Sequence, residues 1–226
     1  MLERMRVRLA GWPWQAEVAA VVVLAFGLAI ANSLLMAFHP ATVPPITQRH
    51  LLGLLVLEPL FAMSAIGFLL LRRWPFAHID LRPTPLRTAE GIGLLAVTWL
   101  LCAIAYSGVQ ALFHIDPVLA GHHFVANGIA PWTAVAASIV NALYEEFFVT
   151  GYLVTTLKDR GHPWAAINLS AAIRLVYHLY QGEQALVSIL PLGLVFAFWY
   201  ARGGRLWPLV VAHAVLDLIA LYPAVH

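Results

Sequence analysis

The sequence predicts an all-α, polytopic transmembrane helical bundle of about seven spans. Two observations carry this prediction: the composition and the spacing of the apolar runs. Of the 226 residues, 62% are hydrophobic and 11% are charged, and the mean hydropathy is +0.81. These values lie far from those of a soluble globular domain. The chain is therefore expected to reside in lipid.

The apolar runs have the length of membrane spans. An α-helix needs about 20 apolar residues to cross the hydrocarbon layer. Runs of this kind lie at 16–38, 50–72, 90–113, 132–157, 163–180, 184–202 and 206–223. Short connections that contain proline or glycine separate them. Residues 1–226 are therefore expected to form a single integral membrane domain.

The basic residues are distributed asymmetrically between the two ends of these spans. If the spans alternate in direction, eleven of the 13 basic residues fall on one side: Arg4, Arg6, Arg8, Arg72, Arg73, Arg82, Arg87, Lys158, Arg160, Arg202 and Arg205. The positive-inside rule makes that side, and the N-terminus, cytoplasmic. Twelve arginines against one lysine favour a bacterial cell membrane. A net charge of +2 predicts no nucleic-acid partner.

Ionisable side chains inside the spans concentrate in the C-terminal half. Each costs about 2.5–3.5 kcal/mol at the centre of a span on insertion scales, so each calls for a partner or a function. The polar positions of spans four, five and seven are Asn141, Glu145, Glu146, Arg174, His178, His213 and Asp217. The N-terminal half has Glu58, which is expected either to line a substrate path or to pair with a basic side chain.

Helical spacing predicts which of these side chains cooperate. Residues four apart share a face, whereas adjacent residues point about 100° apart. Three pairs share a face: Asn141 with Glu145, Arg174 with His178, and His213 with Asp217. We expect these pairs to face a common cavity and Glu146 to point elsewhere. A purely structural clamp would gain only about 0.6 kcal/mol per interhelical hydrogen bond. Proton-transfer or metal chemistry is therefore favoured.

The order of these residues resembles a known family, the CAAX protease and bacteriocin-processing (CPBP or Abi) family of intramembrane glutamic endopeptidases. Its motifs are Glu-Glu-x-x-x-Arg, then Phe-x-x-x-His, then His-x-x-x-Asn or His-x-x-x-Asp. The matching segments are Glu145-Glu146-Phe147-Phe148-Val149-Thr150, Arg174-Leu175-Val176-Tyr177-His178 and His213-Ala214-Val215-Leu216-Asp217. The resemblance covers residues 132–220, which would form the catalytic core.

Two positions depart from the family pattern. Thr150 stands where the family has arginine, and Arg174 stands where it has phenylalanine. Spans four and five run antiparallel, and both positions are displaced to the same side of the glutamates. We hypothesise that the arginine has moved from one helix to the other and neutralises Glu145 or Glu146. The alternative is that Arg174 extends to the cytoplasmic surface.

The resemblance implies hydrolysis of a peptide bond in a membrane-associated peptide or protein by a glutamate-activated water. Glu145 would be the general base and Glu146 would assist it. His178 and His213 would bind the water or the oxyanion, and Asp217 would accept a hydrogen bond from His213. Arg174 and Asn141 would support them. The family implies no cofactor, but two histidines and a glutamate also suit catalytic zinc, which the sequence leaves open.

Two other functions are compatible with the sequence. One is a non-catalytic membrane binding or self-immunity protein of the same fold. The other is a proton-coupled transporter with a relay of Glu58, Glu145, His178, His213 and Asp217. The sequence has no inverted repeat of the kind that marks many transporters. Membrane lipid and a membrane-associated substrate are the expected partners, and the oligomeric state stays open.

Overall fold

A computed structural model describes residues 2–39, 46–114, 126–182 and 184–225, and it confirms the predicted all-helical membrane-type bundle. In chain order its helices are α1 (Leu2–Ala10), α2 (Trp14–Phe38), α3 (Gln48–Leu71), α4 (Pro85–Phe113), α5 (Pro131–Glu145), a π-helix (Glu146–Tyr152), α6 (Leu153–Lys158), α7 (Pro163–Tyr177), α8 (Gln184–Val187), α9 (Ile189–Gly203) and α10 (Trp207–Leu221). Short 3₁₀ turns lie at Phe76–His78, Leu179–Gln181 and Tyr222–Ala224.

The seven predicted spans coincide with these helices but differ in length. Among the described residues, four stretches are long and apolar enough to cross a membrane, namely α2, α3, α4 and Gln184–Gly203, which contains α8 and α9. The fourth predicted span is continuous from α5 to α6 but contains the π-helix. The fifth and seventh are the 15-residue helices α7 and α10, each about 22 Å long.

Helix pairs pack side by side in a closed ring. The order around it is α2, α3, α5, α10, α4, α9 and α7, and α7 packs again on α2. Glycine allows a close approach between two of these helices. On α9, a Cβ at Gly193 would lie 3.1 Å from the Cα of Ala171 and 3.4 Å from the Cδ of Arg174. The α7–α9 contact therefore requires glycine at position 193, next to the buried Arg174.

The second half of the fourth span is surrounded by other helices. Every residue from 148 to 157 is buried, and this segment contacts α2, α7 and α9. A helix that is buried on all sides forms the core of its bundle rather than a lipid-facing surface. Polar groups on this segment therefore have protein partners rather than water.

Ion pairs tie the connections at one end of the bundle. Arg87 and Arg82 donate to the carboxylate of Asp80 at 2.6 and 2.9 Å. The hydrogen bonds from Arg87, then Arg82, hold the pKa of Asp80 well below its usual value. The backbone carbonyl of Asp80 accepts from the amide of Leu206 at 2.8 Å. The α3–α4 and α9–α10 connections are thereby joined.

The opposite end is tied by backbone pairing and by Gln48. The strands β1 (Ile46–Thr47) and β2 (Ala126–Asn127) pair in parallel. Gln48 donates to Thr133 Oγ1 at 2.6 Å and accepts from the amide of Ala130 at 3.0 Å. These bonds fix the start of α3 against the start of α5.

A further buried ion pair links α2 and α3. Arg72 Nε lies 2.6 Å from Glu17 Oε2, and Tyr152 of the π-helix donates to the other carboxylate oxygen at 3.2 Å. Arg72 also donates to the carbonyls of Leu9 and Trp12. The short helix α1 is thereby held against this end of the bundle.

The α4–α10 contact provides a test of the packing. A Cβ at Gly91 would lie 2.7 Å from the carbonyl oxygen of Pro208 and 2.8 Å from Cβ of Val211. We expect Gly91→Ala to lower the free energy of unfolding by about 1–3 kcal/mol, because the helices must separate to accept the methyl group. Thermal unfolding of the purified protein in detergent would measure the change.

Gly93 on the same helix gives the matched control. A Cβ there would meet nothing within 4 Å, so Gly93→Ala should be neutral or stabilising by up to about 1 kcal/mol. Equal unfolding temperatures for the two variants would contradict the packing described for α4 and α10.

Candidate active site

The two adjacent glutamates lie at the junction between α5 and the π-helix. Glu145 is the last residue of α5 and Glu146 is the first of the π-helix. A π-helix has i→i+5 hydrogen bonds and more residues per turn than an α-helix, so adjacent side chains diverge less. Both carboxylates consequently face the same neighbours. The expectation that Glu146 points elsewhere is wrong for this reason.

Arg174 of α7 contacts both glutamates. Its Nη1 lies 3.1 Å from Glu145 Oε2, and its Nη2 lies 2.7 Å from Glu146 Oε1. The side chain is 1% exposed, so it does not extend to the cytoplasmic surface. A guanidinium suits this position because it can bond two carboxylates at once.

Thr150 completes the surroundings of Glu146. Its hydroxyl donates to Glu146 Oε2 at 2.8 Å and accepts from Arg174 Nη2 at 3.3 Å. The two positions that depart from the family pattern are therefore in contact. This geometry supports the hypothesis that an arginine on α7 takes the place of one on the fourth span.

Tyr177 also contacts Glu145, and sequence reasoning missed it. Its hydroxyl donates to Glu145 Oε2 at 2.6 Å. Phe26 of α2 stacks on the Tyr177 ring with centroids 4.9 Å apart, which holds the phenol in place. The spacing in the sequence could have revealed this contact, since Tyr177 follows Arg174 by three residues and residues three apart share a helix face.

His213 of α10 lies between the carboxylates. Its Nδ1 is 2.7 Å from Glu146 Oε1, whereas its Nε2 is 3.6 Å from Asp217 Oδ1 and 4.0 Å from Glu145 Oε2. The expected hydrogen bond from His213 to Asp217 is not made, because 3.6 Å exceeds hydrogen-bonding distance. Glu146 is the partner instead, since the π-helix turns it toward α10.

Asp217 has a second partner on α5. Asn141 Nδ2 donates to Asp217 Oδ2 at 2.9 Å. One member of the predicted α5 pair, Asn141, is therefore hydrogen-bonded to one member of the predicted α10 pair, Asp217, across the interface between these helices. No side-chain hydrogen bond joins Asn141 to Glu145 among the described residues, but Asn141 fixes the carboxylate that lies 3.6 Å from His213 Nε2.

His178 lies just beyond the end of α7, which closes at Tyr177. In the described part of the chain its one hydrogen bond joins Nδ1 to the carbonyl oxygen of Arg174 at 2.9 Å. Because a carbonyl only accepts, Nδ1 carries the hydrogen and Nε2 of the neutral ring is an acceptor. No hydrogen bond joins His178 to either glutamate in the residues described.

Glu58 of α3 is buried at 7% exposure. Among the residues that the structure describes it has no hydrogen bond and no ion pair, so the expected basic partner is not found. It lies within electrostatic range of Glu145, Asp217 and His213. The N-terminal half therefore contributes one buried carboxyl group to the interior of the bundle.

No three histidine, cysteine, aspartate or glutamate side chains in the described ranges are arranged to hold a metal ion. The Nδ1 atom of His213 is hydrogen-bonded to the carboxylate of Glu146, and the Nδ1 atom of His178 is hydrogen-bonded to the carbonyl of Arg174. The arrangement offers a carboxylate cluster with one arginine, which suits proton transfer.

The comparison with known families agrees with the resemblance found in the sequence. The model of the family described as Type II CAAX prenyl endopeptidase Rce1-like matches residues 126–219. That range contains α5, the π-helix, α6 to α9 and most of α10. It therefore includes Glu145, Glu146, Arg174, His178 and His213. No curated protein and no solved structure matches the chain.

The contact between Arg174 and Thr150 gives a test of the exchanged arginine. Arg174→Phe alone should destabilise the protein by about 3–5 kcal/mol, because two buried carboxylates lose their cation. The double variant Thr150→Arg, Arg174→Phe should recover much of that loss, since the cation returns from the neighbouring helix and a phenylalanine can pack on Phe196. Thermal unfolding in detergent would measure both.

The single variant Thr150→Arg is the matched control, because it adds a second buried cation that lacks space. If the double variant were less stable than Arg174→Phe, the two positions would not compensate each other.

Proposed function

From the match of residues 126–219 to the model of the Rce1-like family of type II CAAX prenyl endopeptidases, we propose that this chain is an intramembrane endopeptidase. Its substrate would be a membrane-associated peptide or protein segment, and Glu145 would activate the attacking water. The membrane-type bundle and the family match support the protease class. The contacts of the two glutamates support the choice of base.

The two glutamates differ in how many of their oxygens are engaged. Glu146 is fully buried, and both of its oxygens have partners, Oε1 with Arg174 and His213 and Oε2 with Thr150. Every contact of Glu145 in the described residues goes to Oε2, which leaves Oε1 without a partner. A general base needs an oxygen within reach of the proton that it removes. Glu145 is therefore the base, and Glu146 positions Arg174 and His213.

The neighbours of Glu145 set the place of the nucleophile. His213 Nε2 has no hydrogen bond to any described residue and lies within 4.0 Å of the carboxylates of Glu145 and Asp217. A water held there by His213 would lie beside Glu145. His178 would present its Nε2 acceptor to the substrate or to the water. Asp217, which accepts a hydrogen bond from Asn141, would lie beside the same water, 3.6 Å from His213 Nε2.

Proton transfer in this site would proceed without an added cofactor. Glu145 removes a proton from the water as its oxygen attacks the scissile carbonyl carbon. The same carboxylic acid then returns the proton to the leaving amine as the carbon–nitrogen bond breaks. Arg174 and Tyr177 would stabilise the anionic form of Glu145 between turnovers.

The first test compares peptide termini in membranes that carry wild-type protein or Glu145→Gln at matched expression. We expect a set of termini that appear only with the wild type, since loss of a general base lowers the rate by about 10²–10⁴-fold. Glu17→Gln is the matched control, because it also replaces a buried carboxyl group but lies at the end of the bundle near Arg72. It should leave the termini unchanged.

Identical termini in both membranes, with a phenotype that persists in Glu145→Gln, would favour the non-catalytic binding or self-immunity function. Uptake of a labelled solute that a proton ionophore abolishes would favour the transporter.

A second test concerns Asp217. In Asp217→Asn an amide oxygen can still accept from Asn141, so cleavage should fall by about tenfold, which corresponds to about 1.4 kcal/mol. Asp217→Ala leaves Asn141 without its acceptor and should lose more. Rates of appearance of the Glu145-dependent termini would measure both. An inactive Asp217→Asn protein with normal expression would show that the carboxylate itself takes part in proton transfer.

A further inference from the structure

The two ends of the bundle differ in charge. The α3–α4, α6–α7 and α9–α10 connections meet at one end, where the amide of Leu206 donates to the carbonyl of Asp80 and His78 Nδ1 lies 3.1 Å from Asp159 Oδ2. The eleven basic residues that the sequence groups together all lie at this basic end. The positive-inside rule makes it cytoplasmic. The starts of α3 and α5 and the end of α10 form the opposite end.

The candidate site is closed toward the basic end. Residues 148–157, which connect the two glutamates to that end, are all buried. The side chains of Arg174 and Glu146 are 1% and 0% exposed. On α10, Leu209 and Ala212 are buried between the basic end and the site. A substrate that came from the basic end would have to displace this close-packed interior.

The same site is less enclosed toward the opposite end. Asn141 lies about one helical turn from Glu145 in that direction, and Asp217 lies about one turn from His213. The side chain of Asp217 is 28% exposed, compared with 8% for Glu145 and 5% for His213. Asn141 is half-buried, and so is His178 just beyond the end of α7. The exposure of these polar groups therefore increases from the site toward the opposite end.

The short length of α7 accounts for this difference. The helix ends at Tyr177, three residues beyond Arg174, which is about 4.5 Å at helical rise. The chain continues as the 3₁₀ turn Leu179–Gln181, in which the amide of Tyr180 donates to Ser33 Oγ of α2 at 3.1 Å. The next helix, α8, packs on α4 and α9. The backbone that follows α7 is therefore docked on the surrounding helices and does not extend α7 beyond the site.

We propose that the substrate reaches Glu145 from the opposite end, past Asp217 and His178, and that it is a protein segment on the extracytoplasmic face of the membrane. Water, the second reactant, would enter by the same route. A tail or loop on the cytoplasmic face would meet the closed end, whereas the membrane-proximal segment of a translocated protein has the required location. This inference rests on the proposed protease function and on the orientation that the basic residues predict.

Thiol labelling tests the route without relying on catalysis. Cys102 is the only cysteine of the chain, so Cys102→Ala provides a background without thiols. In that background, Asp217→Cys places a thiol on the proposed route. A charged, membrane-impermeant methanethiosulfonate should label this thiol in spheroplasts, where the extracytoplasmic face is accessible, and labelling should be lost in sealed inverted vesicles. Asn141→Cys is a second probe of the same route and should behave alike.

Two residues of α6 give matched controls. Lys158 is exposed at the basic end, so Lys158→Cys should be labelled in inverted vesicles and not in spheroplasts. Val154 is 0% exposed, so Val154→Cys should be labelled in neither. Unfolding temperatures in detergent would show that each labelled variant is folded.

The cleaved proteins give the second readout. The Glu145-dependent termini should lie in extracytoplasmic segments of their proteins. If they lie in cytoplasmic segments, the inference is wrong while the protease function stands. Labelling of Asp217→Cys and Asn141→Cys from the cytoplasmic face alone, or from neither face, would also overturn it, as would labelling of Lys158→Cys in spheroplasts. If no Glu145-dependent termini appear, the protease function fails and the substrate assignment fails with it.

Discussion

The ion pairs of Arg174 with Glu145 and Glu146 are the interaction on which the interior depends. Two carboxylates contact one guanidinium in a bundle that is otherwise apolar, and a third carboxylate, that of Asp217, lies 3.6 Å from His213 Nε2. Burying a single carboxylate there is unfavourable unless a cation and further hydrogen bonds accompany it. Arg174 supplies the cation from α7, and Thr150, Tyr177 and His213 supply bonds from three directions. The packing of α7, the π-helix and α10 is therefore coupled to the charge of the site.

The π-helix makes this arrangement possible. On an uninterrupted α-helix, adjacent glutamates would diverge by about 100° and could not share one arginine and one histidine. The wider turn brings Glu146 to Arg174 and His213. Within the described part of the chain, Glu145 keeps one carboxylate oxygen without a partner. Gly151 permits the close approach here, because a Cβ would lie 3.1 Å from Ile79 and 3.3 Å from the Glu146 carbonyl. The local backbone geometry thus gives the two glutamates different surroundings. Glu146 has partners on both carboxylate oxygens, whereas Glu145 has one oxygen that a water could reach.

The sequence predicted the helices and most polar positions, because the cost of burying charge restricts where ionisable residues occur in spans. It also led to the hypothesis that Arg174 neutralises Glu145 or Glu146, since the relative depth of these residues follows from helical rise, but it left open that Arg174 extends to the cytoplasmic surface. The π-helix was not predictable, because its stability comes from the packing of α2, α7 and α9 around it. For the same reason, the sequence could not predict that His213 pairs with Glu146, that Tyr177 contacts Glu145, or that Glu58 lacks a basic partner among the described residues. Each depends on contacts between distant segments.

Residues 126–219 carry the family motifs but do not enclose the site by themselves. Tyr144 donates to the carbonyl of Ala25, and Phe26 stacks on Tyr177, so α2 fixes two aromatic residues that flank Glu145. The first three long helices also contribute Glu58. These surroundings stabilise the carboxylate of Glu145, because the exclusion of water strengthens its hydrogen bonds from Arg174 and Tyr177. The apolar N-terminal helices therefore set the environment in which the matched segment can carry out its chemistry.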